Sequence, residues 1–327
     1  MGSPNSRLVA SAPGQRWGIL LAGGEGERLK ALTRAWTGQA TPKQYCEFVG
    51  GRSMLEHTAE RASGVISPSR LVTVIGRGHW RYLEQPRRQS VPGLVVEQPE
   101  SRDTGPGVLL PLTYVLALDP RATVAVFPSD HFIHPADVFR DRLAEAVQLA
   151  ERLPERIILL GAAPDRPEPE YGWINTGSRV PGLGRTEVRA VTSFVEKPDP
   201  SAAARLYRSG ALWNTFIMTF KAETLWSLAC RYLPRVMSRF QALRLGLEGH
   251  GDLPDLGLLY EGLEPANFSR DLLTLAAQRC VAMPLSGVHW SDWGRPERIA
   301  ETLSVIGDGT SATLARSAVL CSAGTPR

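Results

Sequence analysis

Five short apolar runs set the frame of this chain, at residues 17–22, 71–75, 94–97, 123–127 and 157–161. Each has strand length. Three of the intervals between them, at 54–62, 108–118 and 136–153, carry apolar residues at helical spacing. That alternation predicts βαβ units, and hence an α/β fold with a mainly parallel sheet buried on both faces.

After residue 161 the rhythm changes. Strands are expected at 187–196 and 213–221 around one short helix at 201–208, which predicts a mixed or antiparallel portion. A helical segment at 225–245 follows, then a Gly- and Leu-rich linker to about 260, a helix at 270–278 and a strand at 280–285. Residues 1–16 read as a loose leader and residues 307–327 as a Gly-, Ser-, Ala- and Thr-rich tail of little fold information. The expected domain is 17–306, with a first half at about 17–160 and a second at about 161–306.

Composition excludes several classes. A hydrophobic fraction of 43% with 21% charged residues is that of an ordinary soluble protein. The 37 Lys and Arg against 33 Asp and Glu are spread along the chain, and a nucleic-acid binder shows a basic stripe instead. The densest cluster, residues 81–88 with Arg81, Arg87 and Arg88, reads as a solvated helix face or loop. Cys46, Cys230, Cys280 and Cys321 lack metal or redox spacing and read as reduced, buried small hydrophobes. No run has the apolar length of a signal peptide or of the roughly 18 residues that span a membrane, so the expected place is the cytoplasm and no membrane partner is expected.

The chemistry begins at Leu21-Ala22-Gly23-Gly24-Glu25-Gly26-Glu27-Arg28-Leu29, directly after the first strand. Small residues at a strand-to-helix passage let backbone N–H groups approach phosphates, which makes Gly23, Gly24 and Gly26 candidates for that role beside a bland Gly-rich turn. No Gly-Lys-Ser/Thr follows, and Leu29 stands where a dinucleotide fingerprint needs its third glycine. Farther on, Thr41-Pro42-Lys43-Gln44 places a lysine after a proline that holds the backbone extended, so Arg28 and Lys43 can face one triphosphate from two sides. Phe127-Pro128-Ser129-Asp130-His131 closes the fourth strand, at the sheet edge where open α/β folds bind ligands. By itself Asp130 is a metal ligand or equally a cap or turn residue, and His131 reads as a packing or hydrogen-bonding neighbour.

Taken in order, these pieces resemble the sugar-1-phosphate nucleotidyltransferase family, whose pattern is Gly-Gly-x-Gly-x-Arg-Leu followed by Pro-Lys. Pro128-Ser129-Asp130-His131 has the form found in its bacterial mannose-1-phosphate guanylyltransferases. Residues 97–106 are similar to the family's Glu-Pro-x-x-Arg-Asn-Thr-Ala-Pro, Tyr171-Gly172-Trp173-Ile174 to Tyr-Gly-Tyr-Ile, and Phe194-Val195-Glu196-Lys197-Pro198 to Phe-x-Glu-Lys-Pro. Trp213-Asn214-Thr215 and Trp290-Ser291-Asp292-Trp293-Gly294 are similar to Trp-Asn-Ser/Thr-Gly and Trp-x-Asp-Val-Gly. The matches are collinear from Gly23 to about Arg298, most of the chain. The resemblance implies a Rossmann-like, glycosyltransferase-A-like sheet with a sugar-binding portion, and transfer of a nucleotidyl group from GTP to mannose 1-phosphate. It also implies roles: Arg28, Lys43 and Lys197 in catalysis; Arg102, Asp103 and Asp130 beside the glycines on the nucleotide; Gly172, Glu196, Lys197 and Asn214 on the sugar phosphate; Asp130 and Asp292 on Mg²⁺.

Three positions depart from the family. Glu27 replaces a threonine, Asp103 replaces the asparagine of Arg-Asn-Thr-Ala, and Phe216 replaces the glycine after Trp-Asn-Ser/Thr. Aspartate accepts from both N1–H and N2–H of guanine, which keeps Asp103 compatible with GTP. Two rival readings stay open: a nucleotidyltransferase that uses UTP, dTTP or ATP with glucose 1-phosphate, and a silent regulatory subunit that binds a nucleotide sugar. The end of the chain soon after Asp292 leads us to expect no second large domain, and a homo-oligomer stays open.

Overall fold

Strand β1 (Arg16–Ala22) opens the fold, and the run of apolar residues that forms it is buried along almost its full length. The computed structural model describes residues 14–84, 91–184 and 186–306. Most of the leader, the tail with Cys321, and Arg87 and Arg88 lie outside these residues. After β1 come α1 (Lys30–Thr37), α2 (Met54–Ser63), β2 (Leu71–Ile75), the single turn α3 (Trp80–Leu83), β3 (Leu94–Glu97), α4 (Thr104–Leu118) and β4 (Thr123–Pro128). β3, β2, β1 and β4 lie side by side and parallel, with Ile19 between Val72 and Val126. β2 and β4 are buried at every residue, as strands covered on both faces must be.

The second half supplies β5 (Phe132–His134), α5 (Ala136–Arg152), β6 (Ile157–Ala162), β7 (Gly172–Arg179), β8 (Arg189–Glu196), α6 (Pro200–Arg208) and β9 (Leu212–Lys221). α7 (Ala222–Tyr232), α8 (Pro234–Leu247), α9 (Leu256–Tyr260), β10 (Cys280–Pro284), β11 (His289–Ser291) and α10 (Pro296–Ile306) complete it. One sheet of nine strands runs through both halves in the order β3-β2-β1-β4-β9-β6-β10-β8-β7, and β5 and β11 form a separate antiparallel ribbon. The α/β fold with a parallel first portion and a mixed second portion agrees with the expectation.

What periodicity did not give is the place of β9. It runs antiparallel between β4 and β6, because its consecutive Ile217 and Met218 are both fully buried, one in each core layer, as a central strand requires. Its register breaks where Leu160 faces Ile217 but Gly161 faces Asn214, so Thr215 and Phe216 bulge out of the ladder.

The helices expected at 225–245 and 270–278 also differ. The first is two helices, parted at Leu233 where Pro234 takes the first position of α8 and cannot donate to a preceding turn. Within the expected linker stands α9, capped by Asp255. In place of the second helix there is a π-helical turn at Phe268–Leu273, capped by Asn267, and a short 3₁₀ turn at Ala277–Arg279.

Two apolar layers sandwich the sheet. One carries Ile19, Val74 and Val126 against α4, α7 and α8; the other carries Leu20, Ile75 and Phe127 against α2 and α5. α2 is started by a capping box in which Ser53 and Glu56 satisfy each other's backbone N–H. A third, smaller cluster joins α1, the segment after it and α10 through Leu32, Phe48, Phe132, Trp293 and Ile299. Of the described cysteines, Cys46 and Cys280 are buried, whereas Cys230 is only partly so. Burial pushes the Cys280 thiol up to about 12, so it is inert as a nucleophile.

Leu109 in α4 is fully buried and Leu258 in α9 is exposed. Leu109→Ala is expected to cost about 2–5 kcal/mol of unfolding free energy in urea, and Leu258→Ala about 0.5 kcal/mol or less.

Candidate active site

At the C-terminal ends of β1 and β4 the chain opens a cavity of about 470 Å³, walled on its far side by the ends of β7, β8 and β9. The glycine loop forms one wall through Gly23 and Gly24. Gln44 fixes the loop from behind, donating from its side-chain amide to the carbonyls of Ala22 at 2.9 Å and Gly24 at 2.7 Å. Gly26 is left-handed at φ 64°, and a Cβ there would come within 3.2 Å of the Lys43 nitrogen. The glycine thus permits both the turn and the close approach of the Pro42–Lys43 segment. The loop does not enter an α-helix directly: a 3₁₀ turn, Glu27–Leu29, precedes α1, so the helix-end potential anticipated from the sequence is weaker here.

Lys43 is the most constrained charge of the site. Only 5% exposed, its ammonium stands 3.0 Å from the Asp130 carboxylate and donates to the carbonyl oxygens of Asp292 and, at 3.2 Å, Trp293. It does not project freely into the cavity as a triphosphate clamp; it binds the two aspartate segments together at the cavity wall. Arg28, in contrast, is largely exposed, lines the cavity and lies 3.9 Å from Glu170.

Asp130 follows β4, whose end is tied to β1 by the Ser129 hydroxyl donating to Leu21 O at 2.6 Å. Burial would raise its carboxyl, but Lys43 and His131 hold it below the usual range, and the Asp292 charge opposes them. Lys43, in contact with the Asp130 carboxylate and the Asp292 carbonyl, brings the two acidic segments to one edge of the cavity. His131 accepts at Nδ1 from the Trp290 indole at 3.2 Å, so its neutral ring carries its proton on Nε2, on the side of Asp130. Burial keeps His131 below its ordinary value.

Asp292 is held from three sides. Its Oδ1 accepts from the Arg298 guanidinium at 2.7 Å, the Gly294 N–H at 2.8 Å and the Tyr171 hydroxyl at 3.0 Å. Burial opposes ionisation, yet Lys43 and Arg298 bring the carboxyl down to about 2. Arg298, 5% exposed, also pairs with Glu168 at 2.9 Å and Glu170 at 3.0 Å and lies over the Tyr171 ring. Among the described residues Asp130 Oδ1, 3.6 Å from His131 Nε2, and Asp292 Oδ2 accept no hydrogen bond, which leaves two hard oxygen donors of the kind Mg²⁺ takes alongside phosphate oxygens and water. Among the described residues no group of three or more His, Cys, Asp or Glu is arranged to hold a metal.

Across the cavity, Gly172 has no room for a side chain: an added Cβ would meet Glu196 Oε2 at 2.8 Å and Phe194 at 2.9 Å. Burial raises the Glu196 carboxyl, Lys197 lowers it and Asp103 raises it. Asn214 is nearly buried and accepts from Phe216 N at 3.2 Å, and Phe216, pushed out by the β9 bulge, packs edge-on against Phe268. Among the described residues, four that are not glycine have a left-handed backbone: Asp103, Lys197, Phe216 and Trp293. The first three line the cavity and the fourth adjoins Asp292.

Asp103 caps α4, accepting from Thr104 N at 2.6 Å, and takes the Asn267 amide at 3.2 and 3.3 Å. Its oxygens are therefore engaged by the protein. Arg102 is not part of the cavity wall; its guanidinium turns to Glu100 at 2.7 Å. Gln98 is buried at the same wall with Oε1 lacking any partner among the described residues. Sequence reasoning missed Gln44, Gln98, Tyr171 as a hydroxyl donor, and Arg298. Gln44, Gln98 and Tyr171 stand within segments that the family resemblance covers, and Arg298 at its end, but no spacing pointed to these roles.

The chain belongs to the nucleotidyl transferase family, whose model matches residues 17–306. It is 29% identical to an Escherichia coli mannose-1-phosphate guanylyltransferase over 68% of the chain and 46% of that protein. It is 28% identical to mannose-1-phosphate guanylyltransferase 2 of Escherichia coli O157:H7 over 84% of the chain and 57% of that protein. The chain thus spans about half the length of these curated relatives. Its fold superposes, with a TM-score of 0.76 and 27% identity, on mannose-1-phosphate geranyltransferase from Thermus thermophilus, covering 89% of this chain and 79% of that one. Among the described residues no helix is long and apolar enough to cross a membrane.

Two measurements probe this framework. Because the Asp292 carboxyl falls from 3.8 to about 2, its ionised form stabilises the fold above about pH 4, and that contribution drains away as pH falls toward 2. Urea midpoints are therefore expected to fall less between about pH 4 and pH 2 in Asp292→Asn than in the parent. Arg298→Met, which removes the buried cation shared by Asp292, Glu168 and Glu170, is expected to lower the unfolding free energy by about 3 kcal/mol at neutral pH.

Proposed function

We propose that this chain transfers a guanylyl group from GTP to mannose 1-phosphate and releases pyrophosphate. The observation that carries the proposal is the single cavity in which Arg28, Lys197, Asp130 and Asp292 converge with the glycine loop, Lys43 holding the two aspartates at its edge. The names of the curated relatives support GTP and mannose 1-phosphate as substrates.

A phosphomonoester has a second pKa near about 6, so the attacking oxygen is already mostly deprotonated at neutral pH. No general base is required. The barrier lies in the approach of two anions and in charge building on the departing pyrophosphate, so positioning and cationic side chains carry the catalysis. Arg28, with its exposed guanidinium, meets the triphosphate from the loop side, where Gly23, Gly24 and Gly26 let backbone N–H groups approach it. Lys43 holds charge at the Asp130 end. Lys197 opposes the sugar phosphate, while Glu196, Asn214 and the backbone at Gly172 receive sugar hydroxyls.

Asp130 and Asp292 would hold Mg²⁺, which supplies charge neutralisation on phosphate oxygens when bound. On the base side, Asp103 acts by fixing the start of α4 and Arg102 by supporting that turn. The unpaired Gln98 Oε1 is the open acceptor for an N–H of the base, since a buried acceptor without a donor costs stability until a ligand provides one. The described free thiols support a reducing compartment, the cytoplasm.

Pyrophosphate release is the assay. A panel of four nucleoside triphosphates against several sugar 1-phosphates is expected to peak at GTP with mannose 1-phosphate, and to fall to background without Mg²⁺. Lys43→Ala and Asp292→Ala are each expected to lose at least about a hundredfold in kcat/KM, or about 3 kcal/mol. Near-parental turnover in both purified variants removes the mechanism, and a peak at another pair removes the substrate assignment.

A further inference from the structure

Behind the β5–β11 ribbon lies a second cavity, about 210 Å³, between α2, β5 and the start of α5. Its base is Arg61, a residue with no part in the site described above. Arg61 is 7% exposed, and its guanidinium has one described hydrogen bond, from NH2 to the Thr58 hydroxyl at 2.8 Å, while Nε is buried with no partner among the described residues. No described carboxylate lies within ion-pairing distance of it. Glu60, the nearest acid in sequence, pairs with Arg52 instead. A buried, unpaired charge is costly, and burial lowers the Arg61 guanidinium to about 10 against the opposing charge of Glu60.

A second cation joins it. Arg140 lines the cavity, its stem lying over Gly64, where an added Cβ would meet Arg140 Cδ at 2.3 Å. His57 and His134 line it too. His57 donates from Nε2 to Val49 O at 3.0 Å, which leaves Nδ1 without a described partner. Two arginines and two imidazoles thus surround a space in which Glu60 is the one acid among the described residues, and that acid is already engaged. The space suits one tetrahedral oxyanion with its water and is far too small for a nucleotide.

We infer that this cavity is an oxyanion site, with Arg61 and Arg140 as its cationic anchors and a phosphate group as its ligand. The buried guanidinium supplies directed donors from below and Arg140 closes the site from α5. The ligand's source is free inorganic phosphate or a phosphomonoester, which present the same tetrahedral oxygens. The inference does not rest on the proposed transferase activity, because no residue of the first cavity takes part.

Calorimetric titration of the full chain at constant ionic strength tests it, with sodium phosphate in one arm and glycerol 1-phosphate in the other. The Arg28→Ala/Lys197→Ala double variant separates this site from the first cavity. Saturable binding is expected to persist in that double variant and to weaken by about tenfold or more in Arg61→Met and in Arg140→Met, each scored alone. Arg140→Met keeps the stem over Gly64 and carries the test if Arg61→Met does not fold. The tighter arm identifies the ligand as free or esterified. Binding that disappears in the double variant while surviving in Arg140→Met overturns the inference, as does absence of saturable binding in both arms.

Discussion

The Lys43 ammonium is the constraint on which the site depends. Two carboxylates that share one cavity repel each other, and the fold opposes that repulsion with a buried cation that reaches the Asp130 carboxylate and the carbonyls of Asp292 and Trp293. The contact ties together residues 249 positions apart. Its rigidity comes from apolar packing: Trp293 is fully buried, stacked on Phe132 and edge-on to Phe48, so the segment carrying Asp292 cannot drift from the one carrying Lys43. Arg298 then compensates the acids on the other side of Asp292, and the result is an alternating array of charges.

Backbone strain marks the same place. Left-handed geometry is unfavourable for a side chain with a Cβ, and it persists only where surrounding contacts over-determine it. Each of the four such residues has its own fastening. Asp103 is held by its cap and by Asn267, Lys197 by its N–H to Tyr171 O, Phe216 by the β9 bulge and Phe268, and Trp293 by its aromatic neighbours. Part of the departure at Phe216 is thereby explained: where the family pattern Trp-Asn-Ser/Thr-Gly ends in glycine, this chain keeps a left-handed turn and fills the adjoining wall with an aromatic ring. Glu27 is met by Lys30, three residues on, so its extra anion is paired on the exposed side of the loop.

The apolar runs and their intervals were enough to read the parallel core, because a strand covered on both faces must be apolar throughout, and that property is local. The glycine loop, Asp130 and Asp292 were legible for a similar reason: turns and strand ends select residue types within a few positions. Helix identity at 270–278 was not, since the Asn267 side-chain amide and the Phe268 N–H are drawn to Asp103 and Thr104, residues far away in sequence. Nor was the turning of Arg102 away from the cavity, which its pairing with Glu100 decides.

By itself, then, the sequence determined the class of fold, the family and the residue types that surround phosphates, all of which follow from short-range patterns. Tertiary structure alone decided that β9 enters the middle of the sheet, that Lys43 braces aspartates, and that Arg298 and Gln98 belong to the site. These depend on which groups are left buried without a partner once the layers close, a matter of three-dimensional desolvation that no local spacing encodes.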